Sequence, residues 1–183
     1  MSRAVLLSTG AMTRDPVQTD HEEILRHGPA LGVPGFELGI YSAWYGNLDG
    51  VISDLRESGL PFPVVHAEKL IGADLGSGTS EEAEDLGLYG ELEKSISAEW
   101  LWAESAVQHV HVKDFDGRLR LGGKRRYLLP GEGRLDLQGF LNGLADRGYS
   151  GGLTLEATAV GDDGALDPER LSQMAAVVNQ LAS

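Results

Sequence analysis

The sequence predicts an α/β fold in which parallel strands alternate with crossover helices. Short β-favouring apolar runs recur along the chain, helical periodicity follows most of them, and no low-complexity linker divides the 183 residues. Strand and helix in alternation imply parallel strands joined by helices that return across the sheet. With 42% apolar and 23% charged residues, the composition is that of one globular domain over residues 1–183 with a real core.

The elements follow in order. AVLLS (4–8) is the first strand, and Asp20-His-Glu-Glu-Ile-Leu opens a helical pattern that stops near Gly32, with Asp20 as N-cap. GFELGIY (35–41) is the second strand, with Phe36, Leu38 and Ile40 on one face and Glu37, Gly39 and Tyr41 on the other; LDGVISDLRESGL (48–60) is its helix. FPVVHAE (62–68) is the third strand, in which Val64, His66 and Glu68 share a face. Residues 79–105 read as mostly helical, and the acids Glu81, Glu82, Glu84 and Asp85 suit the positive end of a helix dipole. VQHVHVKD (107–114) is the fourth strand. LDLQGFLNGLADRG (135–148) is an amphipathic helix stopped by Gly148, and GGLTLEAT (151–158) is the fifth strand. DPERLSQMAAVVNQLA (167–182) closes the chain as a helix, with Asp167 as N-cap and Pro168 at the first helical position.

Composition narrows the function. The absence of cysteine excludes disulfides and thiolate metal sites, so a metal here is held by His, Asp, Glu and water, which favours Mn²⁺, Mg²⁺ or Zn²⁺. A net charge of −13 repels a phosphate backbone, so nucleic acid is not an expected partner; the one basic concentration, Arg118, Arg120, Lys124, Arg125 and Arg126, reads as a solvated loop. No run of about 18 apolar residues suits a membrane span, and the apolar stretch in MSRAVLLSTGAMTRD is too short for a signal peptide. The expectation is a cytoplasmic protein with no membrane partner. No dinucleotide or P-loop fingerprint is present.

In parallel α/β folds chemistry gathers at the C-terminal ends of the strands. In HVHVKDFDG (109–117) the two-residue period of a strand puts His109, His111 and Lys113 on one face and Val110 and Val112 on the other. Glu37, His66, Glu68 and Glu156 stand at the ends of other strands, with Thr154 and Glu156 facing inward while Leu153 and Leu155 face the helices. An inward carboxylate such as Glu156 needs a partner to offset its desolvation, and a metal or a histidine provides one. His66 reads first as a hydrogen-bonded core histidine, and His109 as a neighbour that orients the site or as a buried polar residue. One His and one Glu from adjacent strands supply half of a hard-metal site, and a carboxylate on a metal can also move a proton next to a polarised carbonyl.

HVHVKDFDG followed by YLLPGEGRLDLQGFLNGLADRGYSGGLTLEAT resembles the C-terminal part of the xylose isomerase-like (β/α)8 barrel superfamily. That superfamily holds sugar and sugar-phosphate isomerases and epimerases and a branch of abasic-site endonucleases. The shared features are a strand-end histidine followed by Lys-Asp, a Gly-Glu-Gly loop at 131–133, a helix closing in Gly-Tyr-Ser-Gly, and a strand ending in Glu. GFELGI and VVHAE resemble its second and third strands more loosely. The resemblance implies a parallel (β/α) barrel, incomplete here with about five readable strands, because a full barrel takes roughly 250 residues. It implies a divalent metal (Mn, Mg or Zn) with His111 and Glu156 among its ligands, and Glu156 as the catalytic acid or base. It also implies that His66, Glu37 and Lys113 bind the substrate, a small sugar or related polyol or keto compound of carbohydrate metabolism.

Two ligands of that pattern, a fifth-strand glutamate and a sixth-strand aspartate, have no counterpart in the chain. Roughly three units are missing, with the seam in EEAEDLGLYGELEKS (81–95). Either the protein is a shortened barrel or the sequence lacks a central stretch of a longer chain. The competing reading is a non-catalytic remnant with an incomplete metal site, stabilised as a homo-oligomer through open sheet edges. The endonuclease branch would need several zinc ligands and a DNA-binding surface, which the −13 charge opposes.

Overall fold

The computed structural model describes residues 4–66, 109–116 and 128–182. Among them are five strands: β1 (Val5–Ser8), β2 (Phe36–Gly39), β3 (Val64–His66), β4 (His109–Val112) and β5 (Gly152–Leu155). The helices are α1 (Glu22–His27), α2 (Leu48–Glu57), α3 (Leu137–Asp146) and α4 (Pro168–Ala182). The strands form one sheet in the order β3-β2-β1-β5-β4, every neighbouring pair parallel. The sheet curls into a half-barrel, so the expected α/β class with parallel strands is observed. No helix among the described residues is long and apolar enough to cross a membrane. The third-strand residue Glu68, the helical stretch 79–105 with its acidic cluster and seam, and the basic residues 118–126 lie outside the described residues.

Register decides which side chains are buried together. Leu7 of β1 lies opposite both Phe36 and Leu155, and Val5 opposite Leu153, so one face of the sheet is apolar. That face packs with Ile24, Leu55, Leu144, Leu171, Met174 and Val178 from the four helices into a single core. The other face carries the polar residues: Ser8 lies opposite Glu37, and Thr154 opposite both Leu6 and His111. The alternation read from the sequence at β2, β4 and β5 is therefore the alternation between core and site.

Helix ends follow their capping chemistry. The Asp167 carboxylate accepts from the Arg170 amide at 3.0 Å and Asp136 accepts from the Gly139 amide at 2.8 Å, which starts α3 at Leu137, two residues later than the pattern suggests. Asp20 accepts from the Glu22 amide at 3.0 Å, so it organises the turn into α1 from one position earlier than a standard cap. Gly148 takes φ +69° after α3, and its amide donates to Ala145 at 2.9 Å.

Just past β4, Asp114 fastens the loop that follows. Its side chain is 1% exposed and accepts from the backbone amides of Phe115 (2.7 Å), Gly131 (2.9 Å), Gly133 (2.9 Å) and Leu135 (3.1 Å). Burial raises its pKa, but the four donors outweigh it and hold the carboxyl below its ordinary value. A Cβ on Gly133 would stand 2.2 Å from Asp114 Oδ1, so only glycine lets the loop close this tightly. Glu132 between the two glycines points away and meets the Arg170 guanidinium at 2.5 and 2.7 Å, tying the loop to the start of α4. The Asp114→Ala variant leaves four amides without their acceptor and is expected to lower the unfolding free energy by about 3 kcal/mol, measured by urea denaturation.

Candidate metal centre

Glu37 is the second residue of β2, flanked by the core residues Phe36 and Leu38, so the strand turns its carboxylate to the polar face. There it is 1% exposed. Three imidazoles surround it. His111 Nε2 lies 2.9 Å and His109 Nε2 3.2 Å from Glu37 Oε2, and His66 Nδ1 lies 3.6 Å from Oε1. Oε1 itself is buried with no hydrogen-bond partner among the described residues. The donor atoms of Glu37, His109 and His111 all lie within 4.8 Å of one another, a grouping that can hold a metal ion.

The neighbouring strand makes room for this arrangement. His109 lies opposite Gly152 of β5, and a Cβ there would stand 2.5 Å from His109 Nδ1. The fully buried Thr154 hydroxyl sits 2.7 Å from His109 Nε2. Adding a methyl group by Gly152→Ala is expected to displace the His109 ring, which would appear as an altered imidazole NMR signal for His109.

His111 joins this group to a second carboxylate. Its Nδ1 lies 3.3 Å from Glu156 Oε2, and the Lys113 ammonium donates to that same oxygen. Hydrogen bonds to Glu156 and Glu37 outweigh burial and lift the His111 pKa to about 9. Burial pushes the Glu156 carboxyl up, but His111 and Lys113 bring it down to about 2. For Glu37 too, burial raises the pKa, while hydrogen bonds from His111 and Thr154 and the nearby His111 and His66 leave it below the ordinary carboxylate value. Burial lowers the pKa of His109, partly offset by Glu37.

The chain matches no protein-family model and no curated protein. The site is therefore read from its own geometry.

Glu37, His66, His111, Lys113 and Glu156 gather on one face of the sheet, linked by the contacts above. Their arrangement refines the sequence reading. Glu37, expected among substrate-binding residues, stands at the centre of the cluster, and Glu156, expected beside His111 as a ligand, meets the opposite ring nitrogen. His66, read first as a core histidine, has a side chain 46% exposed. His109 has a larger place than its supporting role in the sequence reading; the signal for it is the His-x-His spacing, which puts both rings on one strand face. A cleft of about 780 Å³ lined by Asp116, Glu132, Thr158, Asp167 and Arg170 among others lies past the ends of β4 and β5, and none of these five site residues lines it.

The two most strongly shifted groups of the cluster, His111 and Glu156, set a pH dependence for the metal-free protein. His111, raised, contributes stability fully below its ordinary 6.5 and loses it as pH rises through about 9. Glu156, lowered, contributes fully above 4.5 and loses it as pH falls toward about 2. Urea midpoints measured across pH in the presence of a chelator are expected to be highest between 4.5 and 6.5, and His111→Asn is expected to flatten the alkaline limb.

Proposed function

We propose that the protein is a divalent-metal-dependent isomerase or epimerase acting on a sugar or related polyol or keto substrate, of the xylose isomerase-like barrel type. The observation that supports this is the placement of two carboxylates, Glu37 and Glu156, against opposite nitrogens of one imidazole, His111, on the inner face of a curled parallel sheet. Glu37 is buried with one oxygen beside two imidazole nitrogens and the other without a hydrogen-bond partner among the described residues, an arrangement that suits a cation. When bound, the metal supplies Lewis acidity that polarises a carbonyl and acidifies the adjacent carbon.

The residues of the chain divide the remaining work. Glu156 is the group that takes a proton from the carbon next to the carbonyl and returns it. At a pKa of about 2 it is a weak base while Lys113 and His111 both hold it. Lys113 moves from Glu156 to a substrate oxygen, and the carboxylate that loses this partner gains proton affinity. His66, half-exposed beside Glu37, offers a ring nitrogen to a substrate hydroxyl. The HVHVKD and Gly-Glu-Gly resemblance adds the substrate class.

The test is solvent-deuterium incorporation into a panel of aldoses and ketoses with Mn²⁺, Mg²⁺ or Zn²⁺, followed by ¹H NMR. Exchange at the carbon next to the carbonyl is expected, and Glu156→Gln is expected to slow it by about 10²- to 10⁴-fold. Unchanged exchange in that variant would remove Glu156 from the proton transfer. The second reading, a barrel remnant without turnover, draws on β3 and β4, which stand at the edges of the described sheet. Absence of exchange with every sugar would favour it.

A further inference from the structure

We infer that Glu37, His109 and His111 form a three-ligand site selective for an imidazole-preferring ion of the Zn²⁺ or Co²⁺ kind over Mg²⁺, and that Glu156 acts on it as a positioning residue behind His111. This rests on the metal-binding part of the proposed function and not on its sugar chemistry.

The donor set decides the ion class. Two imidazole nitrogens and one carboxylate oxygen converge within 4.8 Å of one another. Imidazole suits Zn²⁺ and its neighbours, whereas Mg²⁺ demands octahedral oxygen ligands and keeps its waters. Three protein ligands also leave coordination positions for substrate oxygens, as catalytic zinc sites do.

Ring orientation separates Glu156 from the ligands. The Nε2 atoms of His109 and His111 both face Glu37 Oε2, at 3.2 and 2.9 Å. Their Nδ1 atoms face elsewhere, that of His109 toward Gly152 and that of His111 toward Glu156 Oε2 at 3.3 Å. An imidazole that ligates through Nε2 carries its hydrogen on Nδ1, and a carboxylate accepting that hydrogen fixes tautomer and ring angle together. Glu156 occupies this acceptor position. Independently, Glu37 is 1% exposed and its Oε1, which faces His66 Nδ1 at 3.6 Å, has no hydrogen-bond partner among the described residues, a deficit that a cation held by both oxygens of Glu37 removes.

The experiment starts from chelator-treated, ¹⁵N-labelled full chain titrated with Zn²⁺, Mg²⁺ or Co²⁺ alone. Long-range ¹H–¹⁵N spectra of the histidines are expected to show Zn²⁺ shifting the Nε2 signals of His109 and His111, with hydrogen retained on His111 Nδ1. Zn²⁺ is expected to saturate the site at a concentration at least about a hundredfold below Mg²⁺. Glu37→Gln, His109→Asn and His111→Asn are each expected to lose the visible Co²⁺ band. Glu156→Gln is expected to keep that band's shape while weakening affinity about 10- to 100-fold. Comparable Mg²⁺ and Zn²⁺ affinities, or no shift at either Nε2, would overturn the ion class without reliance on any variant's folding. Loss of the Co²⁺ band in a Glu156→Gln protein that keeps its circular dichroism would make Glu156 a ligand and overturn its positioning role. No substrate enters these measurements, so Zn²⁺ binding without deuterium exchange would retain the site and reject the catalytic reading.

Discussion

The contact between Glu37 and His111 joins strands that do not pair. Glu37 is on β2 and His111 on β4, with β1 and β5 between them. In a flat sheet three strand spacings would separate their backbones by about 14 Å, yet Glu37 Oε2 and His111 Nε2 are 2.9 Å apart. Curvature of the half-barrel closes this distance, with Ser8 of β1 opposite Glu37 and Thr154 of β5 opposite His111. A buried carboxylate left alone would cost several kcal/mol. The curl and the imidazoles on β4 together make its position tenable.

The end of β4 serves two purposes through consecutive residues. Lys113 turns inward to Glu156, while Asp114 gathers four backbone amides on the loop side. Its grip on residues 131–135 passes through Glu132 and Arg170 to the first turn of α4. The strand that carries both histidines is thus anchored at its C-terminal end by contacts outside the sheet.

Much of this was legible residue by residue. The two-residue period of β2, β4 and β5 places Glu37, His109, His111, Lys113, Thr154 and Glu156 on one face, and Asp167 and Gly148 mark helix boundaries by their chemistry alone. Alternation names a face without naming a partner. That Glu37 lies among three histidines follows from the strand order β3-β2-β1-β5-β4 and from curvature, both set by contacts distant in sequence. The place of His109 depends on Gly152, 43 positions away in the chain and directly opposite it in the sheet, where the missing Cβ leaves space for the ring. The division between Glu37 and Glu156 depends on which imidazole nitrogen faces which acid, information that a residue pattern does not contain.

The register of β4 against β5 carries a further consequence. His109 and His111 stand two residues apart on the same strand, so a slip of one position would turn both rings toward the helices and bring Val110 and Val112 to face Glu37. A partial loss, with one ring kept and the other gone, is not available to a strand displaced by one position. Assembly of the centre is tied to strand pairing, and the pairing His111↔Thr154 that aligns the backbone also places both rings on the inner face.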